Sequence, residues 1–171
     1  MMQFLETERT VLRPFIIEDS IALFNLNHDP EVLKYTGDVP FQSVEEANHF
    51  IKQYIKTQAP GLGRWAVIHK TSDQFLGWCG IKYNPDLNEY DLGFRFFKMY
   101  WGQGFATEVS RASLNYGFQH LKLEIILGRA MKQIVNSIHV LQKIGMHYAN
   151  SFLINGEEWL VYKAASKTIT S

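Results

Sequence analysis

The chain has 171 residues, 46% of them hydrophobic and 20% charged, the size and balance of a single globular domain with a core of its own. Lys plus Arg equals Asp plus Glu at 17 each, so no basic excess points to nucleic acid or to a membrane surface. The one cysteine, Cys79, excludes an internal disulfide and a Cys-rich zinc site and fits a reducing, cytoplasmic setting. The opening Met-Met-Gln-Phe-Leu-Glu-Thr-Glu-Arg lacks a long apolar core behind basic residues, so no secretory leader is expected. No run approaches the roughly 18 apolar residues of a membrane-spanning helix.

Residues 4–15 read as a strand, β-prone at Thr10-Val11-Leu12 and ended by Pro14. Residues 18–26 form a short helix that opens on acidic residues, and Asp29-Pro30 starts another turn or short helix with Asp as cap. After a loop at 37–41, Ser43-Val44-Glu45-Glu46 has capping-box form, with Glu46 set to reach back to the cap N–H. Val44, Ala47, Ile51, Tyr54 and Ile55 follow helical spacing and are expected to face the core. The Ala59-Pro60-Gly61-Leu62-Gly63 loop ends that helix.

Three strands follow at 64–69, 75–83 and 90–97, joined by turn-rich links short enough for antiparallel hairpins. Next comes Tyr100-Trp101-Gly102-Gln103-Gly104-Phe105-Ala106-Thr107-Glu108, a glycine turn opening a helix that runs to about His120. Phe105, Val109, Ala112 and Tyr116 mark its inner face. Little side chain covers the turn, so its backbone N–H groups can approach a ligand, and a helix N-terminus favours phosphate or pyrophosphate. The same G-x-G spacing also serves an ordinary strand-to-helix turn with nothing bound. A strand at 123–130 makes this unit a parallel crossover. Residues 135–144 form a further helix, with Val140, Leu141 and Ile144 inward and Gly145 as its left-handed cap. Residues 147–154 and 158–164 form a hairpin around Asn155-Gly156. The class expected is α/β (α+β): one domain spanning 1–171, with a mostly antiparallel sheet, one parallel crossover and flanking helices.

Four segments in order resemble the GNAT superfamily of N-acetyltransferases, and within it the RimJ/RimL-like branch. They are Leu5-Glu6-Thr7-Glu8-Arg9-Thr10-Val11-Leu12-Arg13-Pro14, Asp29-Pro30-Glu31-Val32, Asp91-Leu92-Gly93-Phe94 with the glycine turn, and Ser137-Ile138-His139-Val140 through Lys143-Ile144-Gly145-Met146. The resemblance implies central strands that splay apart and a seat for acetyl-CoA. Gly102, Gln103, Gly104, Phe105, Ala106 and Thr107 would cradle the phosphates, and Phe96 and Phe97 would pair with the pantetheine arm. The chain departs from the superfamily pattern at four places. Trp101 stands where the superfamily often has Arg or Gln, though Trp is usual in the RimJ/RimL branch. Lys98 stands where proline is common. Ile134 stands where an asparagine often hydrogen-bonds the cofactor, so Asn136 takes over that bond or nothing makes it. Leu141 replaces a frequent tyrosine general acid, so that role is absent or filled elsewhere.

Acetyl transfer to an amine needs a neutral amine, a polarised thioester carbonyl and a tolerated thiolate. Asp91, where the family often places glutamate, is the candidate base, working through water, although a solvated strand carboxylate explains it equally. Ser137 is the candidate donor to the leaving sulfur, against a residue that satisfies helix-end backbone groups. His139 reads as a surface histidine. Trp65, Trp78 and Tyr83 either line an acceptor pocket or fill the core, and Cys79 reads as a buried, inert thiol. The six histidines make no H-x-x-x-H pair, so no metal is expected. The partners expected are acetyl-CoA and a primary amine, either a protein N-terminus or a small molecule, bound by a monomer or homodimer. A non-catalytic coenzyme A-binding module is the alternative. A dinucleotide oxidoreductase fits poorly, because Thr107 occupies the third glycine position of G-x-G-x-x-G.

Overall fold

A computed structural model describes residues 5–168. Phe4, the expected start of the first strand, and the first four residues of the stretch read for a leader lie outside the described residues. Among the described residues, eight strands form one sheet in the order β1-β2-β3-β4-β5-β6-β8-β7. The expected strand at 4–15 is two short strands, β1 (Leu5–Glu6) and β2 (Thr10–Arg13). Thr7 breaks it: its N–H donates to the Thr10 carbonyl at 2.9 Å and its hydroxyl lies 2.7 Å from that of Thr10, folding the chain back.

Helices α1 (Ser20–Leu26), α2 (Pro30–Leu33) and α3 (Val44–Thr57) follow. Asp29 caps α2 by accepting from the Glu31 N–H, and Ser43 caps α3 by accepting from the Glu46 N–H. Glu46 reaches the Gln42 N–H at 2.6 Å instead of the expected cap N–H, one residue further out. Ala47 and Ile51 are buried, but Ile55 is exposed. Residues 47, 51 and 54 already fill the stripe that faces the sheet, and Ile55 lies beyond its edge.

Strands β3 (Gly63–His69), β4 (Phe75–Asn84) and β5 (Glu89–Phe96) run antiparallel. Helix α4 (Phe105–Gln119) then crosses to β6 (Ile125–Met131), which pairs parallel with β5. Gly117 lets α4 lie against the sheet, since a Cβ there would stand 2.6 Å from the side-chain tips of Ile126 and Ile81. After α5 (Val135–Lys143) come β7 (His147–Ile154) and β8 (Glu157–Ala165), joined by Asn155 and Gly156 at φ 51 and 81. Both positive angles are what a type I′ turn requires.

The sheet has two differently covered faces. On one, Leu92, Val109, Leu114, Ile126 and Leu141 join α4 and α5 to the strands. Burying each such side chain contributes about 1.5–3 kcal/mol. On the other, Phe15, Leu23, Ile51 and Ala66 pack the early helices against β3 and β4.

Candidate active site

The turn that follows β5 has a conformation that only glycine adopts without strain: Gly102 and Gly104 sit at φ 72 and 82, and Gly104 is the left-handed cap of α4. A Cβ on Gly102 would meet nothing within 4 Å, and one on Gly104 only the Arg9 guanidinium at 3.5 Å. The glycines therefore serve the path of the backbone and the openness of its outer side, not packing underneath. The first helical bond of α4 runs from the Glu108 N–H to the Gly104 carbonyl. Among the described residues, no protein acceptor takes the N–H groups of Gly102, Gln103, Gly104, Phe105, Ala106 or Thr107. Six neighbouring donors thus stand at the positive end of a 15-residue helix, where negative charge is stabilised.

The turn is braced from below by residues that no local sequence pattern marks. Glu108, in the first turn of α4, accepts from the Thr7 hydroxyl at 2.6 Å, the Arg9 N–H at 2.9 Å and Arg9 Nε at 2.7 Å. Arg9 continues to the Gln103 carbonyl at 3.0 Å and lies 4.0 Å above the Phe105 ring. Burial pushes the Glu108 carboxyl up, but the bonds from Thr7 and Arg9 outweigh it and hold the group below the usual carboxylate range. Thr7 and Arg9 belong to the first resembling segment and Glu108 to the third, so distant motifs meet at one carboxylate.

Parallel pairing of β5 with β6 is confined to Asp91 with Leu127 and Leu92 with Gly128. Past that point residues 93–96 keep their β4 partners and leave β6, opening a gap that leads to the turn. The Phe97 N–H donates to Leu76 on the β4 side at 3.1 Å. Alternation along a strand therefore aims the polar backbone atoms of Phe94 and Phe96 at the gap and those of Phe97 away from it. Trp101 Nε1 takes the Phe96 carbonyl at 2.9 Å, leaving the Phe96 N–H on that edge. Phe94 was not among the expected residues, and strand parity is the signal that would have identified it.

At the closed end of the gap stands a row of charges. Arg64 crosses the sheet above Gly93, where a Cβ would stand 2.6 Å from its Nη2, and donates to the Gly80 and Asp91 carbonyls at 2.6 and 2.7 Å. It also donates to Asp91 Oδ2 at 2.7 Å, while Arg129 on β6 donates to Asp91 Oδ1 at 3.0 Å and pairs with Glu89. Asp91, expected as the base, thus has each carboxylate oxygen engaged by a guanidinium. Trp78 lies between Arg64 and Arg95, 5.4 and 5.1 Å from their guanidinium carbons. Arg95 is held by Asn27 and Asp38.

Residues 9–147 match the family model described as an acetyltransferase (GNAT) domain. The chain belongs to the GNAT acetyltransferase family. It is 32% identical over 145 residues to the uncharacterized N-acetyltransferase p20 of Bacillus licheniformis, covering 84% of this chain and 82% of that protein. Its fold is similar to a GNAT-family acetyltransferase from Bacillus anthracis, with a TM-score of 0.85 at 24% identity over 96% of this chain and 99% of the other. It is also similar to the spermidine N-acetyltransferase of Vibrio cholerae, solved with CoA and spermine, with a TM-score of 0.80 at 19% identity over 93% and 96% of the two chains. As a GNAT protein the chain is an acyltransferase whose acetyl donor, across the family, is acetyl-CoA. The open turn, its unpaired donors and the gap beside β5 fit that donor.

The other GNAT-derived expectations have these places. Asn136 and Ser137 lie in the first turn of α5, beyond the gap on the β6 side, Asn136 exposed and Ser137 half-buried. Leu141, at the frequent tyrosine position, is 1% exposed and packs over Gly128 in the core. His139 is exposed. Trp65 is core, Trp78 sits half-buried among the arginines, and Tyr83 lies on the outer part of β4. Cys79 is fully buried, its thiol pushed up by burial despite contacts to Ser113 and Ser110. A thiol so placed is a poor nucleophile. Among the described residues, no helix is long and apolar enough to cross a membrane.

Proposed function

We propose that the chain transfers the acetyl group of acetyl-CoA to a primary amine, on a protein N-terminus or a small molecule, by direct attack in a ternary complex, in the manner of the RimJ/RimL-like branch it resembles. The observation that carries this reading is the run of six unpaired N–H groups at Gly102, Gln103, Gly104, Phe105, Ala106 and Thr107, placed where β5 parts from β6. Those groups would hold the pyrophosphate. The gap-facing N–H groups of Phe94 and Phe96 would bind the pantetheine amides; Phe97, whose N–H is spent on β4, drops out of that role.

Acetyl-CoA supplies an acyl group already activated as a thioester. The residues of the chain have the remaining work: align the amine, polarise the carbonyl, receive a proton and meet the sulfur. A carbon–nitrogen bond forms, the carbon–sulfur bond breaks, the ammonium proton leaves to water, and the thiolate carries away the electron pair. Ser137 is the candidate donor to that sulfur, with Asn136 beside it on the same wall. We assign Asp91 to positioning instead of proton transfer. Each of its carboxylate oxygens is engaged by a guanidinium, and the pair ties β3 to β6 across the point of divergence. We place the domain, taken as the whole of 1–171, in the cytoplasm, where its donor and its reduced Cys79 fit.

Initial rates measured against both substrates test the scheme. Intersecting double-reciprocal lines, unchanged in form for Cys79→Ala, are expected. Parallel lines, or loss of turnover in Cys79→Ala with the fold intact, would point to an acyl-enzyme and overturn direct transfer.

A further inference from the structure

The face of β6 and β8 turned away from α4 and α5 forms, with β7, a groove of about 440 Å³ floored by Leu127, Arg129, Val161 and Lys163. It starts at the closed end of the gap, because Asp91, Leu127 and Lys163 stand side by side in register across β5, β6 and β8. Two strand spacings, about 10 Å, separate the first from the last. The opposite side of that point is closed by α5, whose Leu141 would lie 2.7 Å from a Cβ on Gly128. An acceptor reaching the gap therefore comes along this groove.

Its charges are unevenly compensated. Arg129 is paired with both Asp91 and Glu89, and Arg64 with Asp91. Lys163 is exposed and, among the described residues, has no acidic or carbonyl partner. On β7, His147 stands opposite Lys163, and further along the same groove Asn150, opposite Val161, offers an uncommitted amide. We propose that the acceptor is an amine bearing a carboxylate, of about dipeptide length, whose carboxylate is received by Lys163 while its amine reaches the gap beside Asp91. One lysine and one amide match a monoanion; a phosphate dianion would leave a charge unmet. A polyamine would set its second ammonium against Lys163. This specificity rests on the acetyl-transfer reading above.

The test compares glycylglycine, glycylglycinamide and spermidine as acceptors for wild type and Lys163→Met, with N-acetylglycylglycine and its amide titrated onto the CoA-saturated protein. Lys163 is exposed, so the variant is expected to fold. The wild type should prefer the dipeptide acid to its amide at least tenfold in kcat/KM, through KM, and bind its N-acetyl product more tightly than the uncharged one. Both preferences should shrink to near one in Lys163→Met. Equal use of the amide or spermidine by wild type, equal binding of the two products, or preferences that survive Lys163→Met would overturn the proposal. The product titration decides it even if none of the three amines is turned over. A normal acetyl-CoA titration with no anion preference removes only this inference, whereas silence with acetyl-CoA removes the acetyl-transfer reading itself.

Discussion

Gly104→Val separates the strain of the turn from its use. At φ +82 any side chain stands in the left-handed region, at a cost of about 1–2 kcal/mol. Space is not the obstacle, since the nearest atom to a Cβ is a guanidinium nitrogen at 3.5 Å, so the variant should fold with reduced stability. Gly156, in the β7–β8 turn at φ +81 with nothing within 4 Å of a Cβ, is a matched control for that strain. The difference lies in what the backbone does. An isopropyl group at 104 shields the neighbouring N–H groups from an anion, and each hydrogen bond to a charged group is worth about 1.5 kcal/mol or more. Losing one or two of them predicts a ten- to hundredfold weaker acetyl-CoA affinity, or about 1.4–2.8 kcal/mol. Calorimetric titration of both variants, with urea melts alongside, reads the two effects separately. If Gly104→Val bound within twofold of wild type, or Gly156→Val lost as much, the assignment of the turn as the phosphate seat would be refuted.

Glu108→Gln removes the charge that gathers Thr7 and Arg9, and should cost about 2 kcal/mol at pH 7. Because the folded carboxyl lies below its unfolded range, the unfolded chain binds more protons as pH falls; the charge's contribution is full above about pH 5 and fades below about 4.3. Urea melts should therefore show the gap between variant and wild type closing in acid, and a gap constant from pH 7 to 3.5 would contradict this. Asp91→Asn leaves Arg64 without its counter-ion and is expected to lower both stability and turnover while preserving the shape of the pH–rate profile. Disappearance of the acidic limb would restore Asp91 as the base.

The fold could be read from local rules where those rules were strong. Ser43 capped its helix, Asn155-Gly156 made its hairpin turn, and Gly102 and Gly104 took positive φ. It departs from them at two places: bonds between Thr7 and Thr10, a local pair, cut one β-prone run into two strands, and Ile55 lies beyond the edge of the helical stripe. The open conformation of the turn is legible in the same way, because two glycines before a helix permit positive φ and leave the N–H groups uncovered, although the spacing alone does not say whether a ligand sits there. The clamp of Thr7 and Arg9 on Glu108 is not legible, since it joins residues about a hundred positions apart. Nor could sequence show that Asp91 is shared by Arg64 and Arg129. That follows from register across four strands, β3 to β6, which a single-residue pattern does not carry.

Calorimetric titration of the chain with acetyl-CoA, and in parallel with NAD, tests whether the turn at 102–107 seats acetyl-CoA. Saturable binding of acetyl-CoA in the micromolar range and no heat with NAD are expected. Silence with acetyl-CoA would contradict that assignment, leaving a fold whose open donors serve some other ligand.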